Sequence, residues 1–87
     1  MAIESKSELL DALEILHAEL ELGGEREWGL LLGAALAGIL SSEGMETVRT
    51  LLRKLRSSDT ATRLGLQGRI SEALSYLDLM LGQEPQY

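Results

Sequence analysis

The stretch that decides the fold is Trp28-Gly-Leu-Leu-Leu-Gly-Ala-Ala-Leu-Ala-Gly-Ile-Leu40, near the middle of this 87-residue chain. It holds thirteen residues without a charge, which is well short of the ~20 apolar residues that a membrane-spanning helix needs. Leucine, its commonest residue, and alanine both favour a helix. We therefore predict a helix over about residues 25–42 that is apolar on every side and has to be covered all round.

Small residues recur at intervals of four along this helix: Gly29, Gly33, Ala37 and Ser41. Such a stripe lets a second backbone approach closely, as it does between helices in membranes. Each exposed helical glycine costs up to about 1 kcal/mol relative to alanine, so close packing has to compensate. We predict a dimer interface here, although Trp28 could equally belong to the core. Its residues are Trp28, Gly29, Leu32, Gly33, Leu36, Ala37, Leu40 and Ser41.

Three more helical segments surround this one. Leu9, Leu13, Leu16 and Leu20 form a narrow apolar seam, which Ser5 and Glu8 precede at the spacing of a capping box. Gly23-Gly24, Gly44 and the polar run 57–60 are the predicted breaks. The fold class is all-α: a small bundle of three to four helices at about 5–22, 25–42, 45–56 and 60–81, completed by dimerisation. We predict a single domain over residues 1–87 with frayed ends at 1–4 and 83–87.

Size is the second argument for a dimer. A chain this short buries only about 60–65% of the surface that its unfolded form exposes. Small domains compensate with disulfides, a structural metal or oligomerisation. The sequence has no cysteine and a single histidine, His17, so oligomerisation is the remaining support. We predict a homodimer.

Charge is distributed unevenly over the chain, whose net charge is −6. Residues 1–27 hold eight acids and two bases, whereas residues 45–69 hold two acids and six bases. Either region could meet a partner of opposite charge, or the two could attract each other within the protein. The arginines predicted to bind a partner or DNA are Arg49, Arg53, Arg56, Arg63 and Arg69. The N-terminus is acidic, unlike a signal peptide, so we expect a cytoplasmic protein.

The segment from Thr60 to Leu74 resembles the core of a helix-turn-helix DNA-binding unit. Five residues match its pattern of small, turn and buried positions: Ala61, Leu64, Gly65, Leu66 and Leu74. Ser71 departs from it, because an aliphatic residue is expected there and Ile70 comes one position early. The resemblance implies that Gln67, Arg69, Ser71 and Glu72 face the major groove, with Arg63 near a phosphate. The alternative is one long helix whose glycines pack on a neighbour.

Little in the sequence favours catalysis, and we expect no enzyme activity, cofactor or metal. Glu14, His17 and Glu21 share a helix face, but metal-binding bundles draw such ligands from several helices. No Gly-rich phosphate loop is present. We therefore predict a non-enzymatic helical adaptor or regulator that binds an unidentified protein partner as a homodimer. The alternatives are a small helix-turn-helix DNA-binding regulator and an acidic immunity or inhibitor protein for a basic target.

Overall fold

Five helices make up residues 3–82, the part of the chain that the computed structural model describes. They are α1 (Lys6–Leu22), α2 (Arg26–Leu36), α3 (Ser42–Arg56), α4 (Asp59–Leu64) and α5 (Gln67–Leu81). No strand occurs in this range. The predicted all-α class is confirmed, but the helices number five instead of three to four.

The first helix begins and ends at the predicted signals. The Glu8 N–H donates to the Ser5 hydroxyl at 3.1 Å. The Glu8 carboxylate accepts from the Glu4 N–H at 2.7 Å instead of from Ser5, so the capping box is shifted by one residue. At the other end, Gly24 adopts a left-handed φ of +79°. Residues 1–2 and 83–87, which include most of the predicted frayed ends, lie outside the described range.

The core is built from leucine seams on α1, α3 and α5. All four seam leucines of α1 are at most 1% exposed, as their spacing predicts. Val48, Leu52 and Leu55 of α3 face Ile70, Leu74 and Leu77 of α5, and these two helices form the most extensive helix pair. The short helix α2 packs on α1 and α3. Of its large side chains only Leu32 is fully buried.

The second helix is shorter than predicted and ends at Leu36, and Gly44 does not act as a stop. The chain leaves α2 after Leu36 and turns over residues 37–40. Ser41 then caps α3 by accepting from the Gly44 N–H at 2.9 Å. Gly44 lies inside α3, where a methyl group at its Cα would overlap the Gly38 carbonyl. Its lack of a side chain lets the two backbones touch.

The predicted helix over 60–81 is two helices. Gly65 ends α4 in a left-handed conformation with φ +70°. The Leu66 N–H then donates to the Ala61 carbonyl at 2.9 Å, which is the hydrogen bond that closes a Schellman turn. Ser58 caps α4 through the Ala61 N–H. Since only glycine adopts this φ without strain, Gly65 fixes the break between α4 and α5.

Gly44→Ala should lower the free energy of unfolding by at least about 2 kcal/mol, because the added methyl group meets backbone atoms that cannot rotate away. For a domain of this size each 1 kcal/mol corresponds to about 4–8 °C. We therefore expect the thermal midpoint, followed by circular dichroism, to fall by about 10 °C or more.

Gly68→Ala is the matched control for this substitution. Gly68 is exposed in the first turn of α5 and a methyl group there would meet nothing within 4 Å. Alanine should therefore leave the stability unchanged or raise it by up to about 1 kcal/mol. A Gly44→Ala variant as stable as Gly68→Ala would contradict the close contact of Gly44 with Gly38.

Candidate interaction surfaces

Most of the large apolar side chains that reach solvent belong to α1, to α2 and to the turn after α2. Among the described residues, six such side chains are clearly exposed, and five of them lie on α1, on α2 or in the turn after α2. The six are Ile15 (47%), Leu22 (88%), Leu30 (73%), Leu31 (53%), Leu40 (78%) and Leu79 (59%). Exposed apolar patches of this kind mark interaction sites more often than isolated exposed leucines do.

The outward face of α2 is the most apolar of these surfaces. Glu27, Leu30, Leu31, Ala34 and Ala37 follow one another at helical spacing, and all are exposed. Only Glu27 carries a charge. The protein therefore covers one side of α2 and leaves the opposite side open, although the sequence predicts a helix covered all round.

The residues predicted to form a dimer interface are divided between α2 and the turn that follows it. Gly29 and Leu32 are buried within the chain. Trp28 and Leu36 are partly buried against the core. Ala37, Leu40 and Ser41 are exposed. The outward residues Leu30, Leu31 and Ala34 were missed, because the sequence shows which residues of α2 are apolar but not which side the core covers.

The glycine stripe faces α1 of the same chain. A methyl group at Gly33 would lie 3.2 Å from Nε2 of His17, and one at Gly29 would lie 3.2 Å from Cγ of Glu21. Both glycines thus make room for polar side chains of α1. The stripe predicts that a second backbone lies against these glycines, but Gly29 and Gly33 accommodate side chains of the same chain instead.

Of Glu14, His17 and Glu21, which share a helix face in the sequence analysis, His17 and Glu21 lie close together. His17 Nε2 lies 3.8 Å from Glu21 Oε2, one turn further along α1. Glu14 is exposed on the same helix. Over residues 3–82, no group of three or more His, Cys, Asp and Glu side chains is placed to hold a metal ion.

The arginines predicted to bind a partner are mostly paired within the protein. Arg49 and Arg53 of α3 both reach Asp78 of α5, at 3.5 and 3.1 Å. Arg63 pairs with Glu25, the residue that precedes α2. Arg69 of α5 lies 3.0 Å from Glu19 of α1. Each exposed pair contributes at most about 1 kcal/mol, yet together the pairs neutralise much of the basic segment.

The segment that resembles a helix-turn-helix unit has the expected break at Gly65. Ala61, Leu66 and Leu74 are buried, and the core position near Ser71 is filled by Ile70, which is fully buried. The residues implied to face DNA border α1. Arg69 is held by Glu19, and the Gln67 side-chain amide donates to the Thr62 hydroxyl at 3.2 Å.

A second exposed stripe runs along α1 and was missed by the sequence analysis. It consists of Glu8, Asp11, Ile15, Ala18 and Leu22, spaced so that all five share the face opposite the leucine seam. The signal was present, because Ile15 and Leu22 are seven residues apart and neither belongs to the seam. Their acidic neighbours made this face look like an ordinary solvated surface.

Comparisons with protein-family models, with curated proteins and with solved structures found no match to this chain. Across residues 3–82, no helix combines the length and the apolar character needed to cross a membrane.

Gly33→Ala should lower the free energy of unfolding by about 1 kcal/mol, at the low end of the range for overpacking, because the His17 ring can shift toward solvent. The added methyl group and the ring are coupled, so His17→Ala should remove most of this cost. We expect a double-mutant cycle, measured by urea denaturation, to show this coupling. Strictly additive effects of the two substitutions would contradict the packing of His17 on Gly33.

Proposed function

We propose that this protein is a non-enzymatic helical adaptor or regulator that acts through protein–protein interaction as a homodimer. The observation that carries the proposal is the outward face of α2, where Leu30 and Leu31 lie exposed beside Ala34 and Ala37. Exposed leucines grouped on one helix face lose their contact with water when a second surface covers them, and this burial is favourable. Two-fold pairing is the commonest way in which such a face is covered.

Charge supports pairing of α2 with itself. Within α2, Arg26 and Glu27 are the only charged residues, so the helix carries no net charge. Pairing through α2 therefore brings together the helices that carry no net charge, although each whole chain carries −6. Ala34 and Ala37 add little bulk at the C-terminal end of the face, so two helices can pack closely there. The adaptor is proposed to use its remaining surface for a protein partner.

Sedimentation of the pure protein at micromolar concentration should show a dimer. Replacing both exposed leucines, in a Leu30→Ser, Leu31→Ser variant, should give a monomer because the dimer loses its largest apolar contacts. Neither side chain belongs to the buried core, so circular dichroism should show an unchanged fold.

Leu79→Ser is the matched control, because Leu79 is equally exposed but lies on α5. This variant should remain dimeric. A wild-type monomer at micromolar concentration would reject the homodimer, and a dimeric Leu30→Ser, Leu31→Ser variant would reject α2 as its interface.

A helix-turn-helix DNA-binding regulator is the second candidate, favoured by the left-handed Gly65 between α4 and α5. DNA binding depends on unpaired basic side chains that displace counterions from phosphates. Arg63 and Arg69, the two bases of this segment, are each paired with a carboxylate. This pairing favours the adaptor over the DNA-binding regulator.

Duplex DNA should therefore show no salt-dependent binding to the wild-type protein in a fluorescence anisotropy titration, even at low salt. The control is an Arg63→Ala, Arg69→Ala variant. If the wild type bound DNA and this variant did not, the DNA-binding function would replace the adaptor function.

A further inference from the structure

The exposed stripe of α1 has a composition that points to a particular kind of partner. Ile15, Ala18 and Leu22 supply apolar contacts at intervals of three and four residues, with Glu8 and Asp11 preceding them. Regular spacing of this kind is how one helix recognises another laid against it. Ala18 lies between these two larger residues and, because its side chain is small, it does not obstruct an apolar side chain of a partner.

Acidic groups around the stripe are free to meet a partner. Among residues 3–82, Asp11 and Glu14 form no ion pair or side-chain hydrogen bond, unlike Glu19, which Arg69 holds on the α5 side. α1 carries five acids and the single base Lys6. By contrast, Arg49, Arg53, Arg63 and Arg69 are paired within the protein. α1 therefore presents unpaired negative charge to a partner.

Room for a docked helix exists beside the stripe. A surface depression of about 340 Å³ lies between α1 and α5 and is lined by Ala12, Ile15, Gly68, Arg69 and Glu72. Gly68 has no neighbouring atoms on the side where a side chain would project. A partner helix lying along Ile15 and Leu22 can therefore settle toward α5 without a clash at Gly68.

A second copy of the chain does not suit this surface, because two α1 helices would bring like charges together. An acidic surface also repels phosphate groups, which opposes nucleic acid. We propose that the α1 stripe docks a basic amphipathic helix of a partner protein, with apolar side chains seated between Ile15 and Leu22. Lysine or arginine side chains of that helix reach Asp11 and Glu14. This inference rests on the proposed adaptor function and names the chemistry of its partner.

The probe is a synthetic amphipathic helix with leucine at the apolar heptad positions and lysine at the others, compared with the same peptide carrying glutamate in place of lysine. Isothermal titration calorimetry with the wild-type protein should detect the lysine peptide and not the glutamate peptide. Added salt should weaken the binding, because exposed ion pairs are screened.

Ile15→Ser and Glu14→Lys should each weaken binding of the lysine peptide by about fivefold or more, which corresponds to about 1 kcal/mol. Two matched controls change the same chemistry elsewhere: Leu79→Ser on α5 and Glu46→Lys on α3, both at exposed positions. Neither control should change the affinity by more than about twofold, a difference of about 0.4 kcal/mol. All four positions are exposed, so the fold should survive each change.

Three outcomes would overturn the inference: no binding of the lysine peptide at low salt, an equal loss in Glu46→Lys and Glu14→Lys, or stronger self-association of Glu14→Lys. The last outcome would assign the stripe to a second copy of the chain. Sedimentation of the same samples separates this inference from the proposed function. A dimer that binds no peptide rejects only the docking site, whereas a monomer that binds the peptide rejects only the dimer.

Discussion

The contact of Gly44 with the Gly38 carbonyl is the constraint on which the arrangement of α2 depends. It lets the chain turn from α2 into α3 over a few residues, with Ser41 capping the new helix. Because the turn is tight, α2 ends at Leu36 and has to lie against α1 and α3 with a single side turned inward. Leu32 fills the core from that side, and Leu30 and Leu31 are left facing solvent.

The fold could be predicted from sequence wherever a residue type or its spacing is compatible with only one structural role. The leucines of the seam from Leu9 to Leu20 are spaced so that they share one face of α1, and that face is buried. Ser5 and Gly24 mark the ends of α1, because few other residue types form such caps. Glycine is less informative. Gly44 looks like a helix stop but serves close packing inside α3, whereas Gly65, for which the sequence leaves both a turn and a packing role open, stops α4. The two roles differ in φ and in neighbouring atoms, which the presence of a glycine alone does not reveal.

The interaction surfaces were harder to predict, because spacing shows that something approaches a helix but not what approaches it. Gly29 and Gly33 do lie at a close contact, yet the groups they accommodate are the side chains of Glu21 and His17. The arginines of the basic segment likewise have carboxylates nearby in space, but these are distant in sequence: Asp78 lies 25 residues beyond Arg53. Both outcomes depend on how distant helices are placed. The same dependence explains why Ile15 and Leu22 look like solvated positions until the core is known.

Charge then determines what each open surface suits. The exposed face of α2 is apolar apart from Glu27 and its helix carries no net charge, so it meets its own copy at a lower electrostatic cost than α1 would. The exposed stripe of α1 is apolar and acidic, so its own copy is disfavoured and a basic surface is favoured. Burial of leucine does not discriminate between partners, because any apolar surface satisfies it. Discrimination between partners therefore has to come from the charged side chains at the edge of each apolar surface. A chain of 87 residues can in this way carry two apolar surfaces on neighbouring helices, each of which favours a different kind of partner.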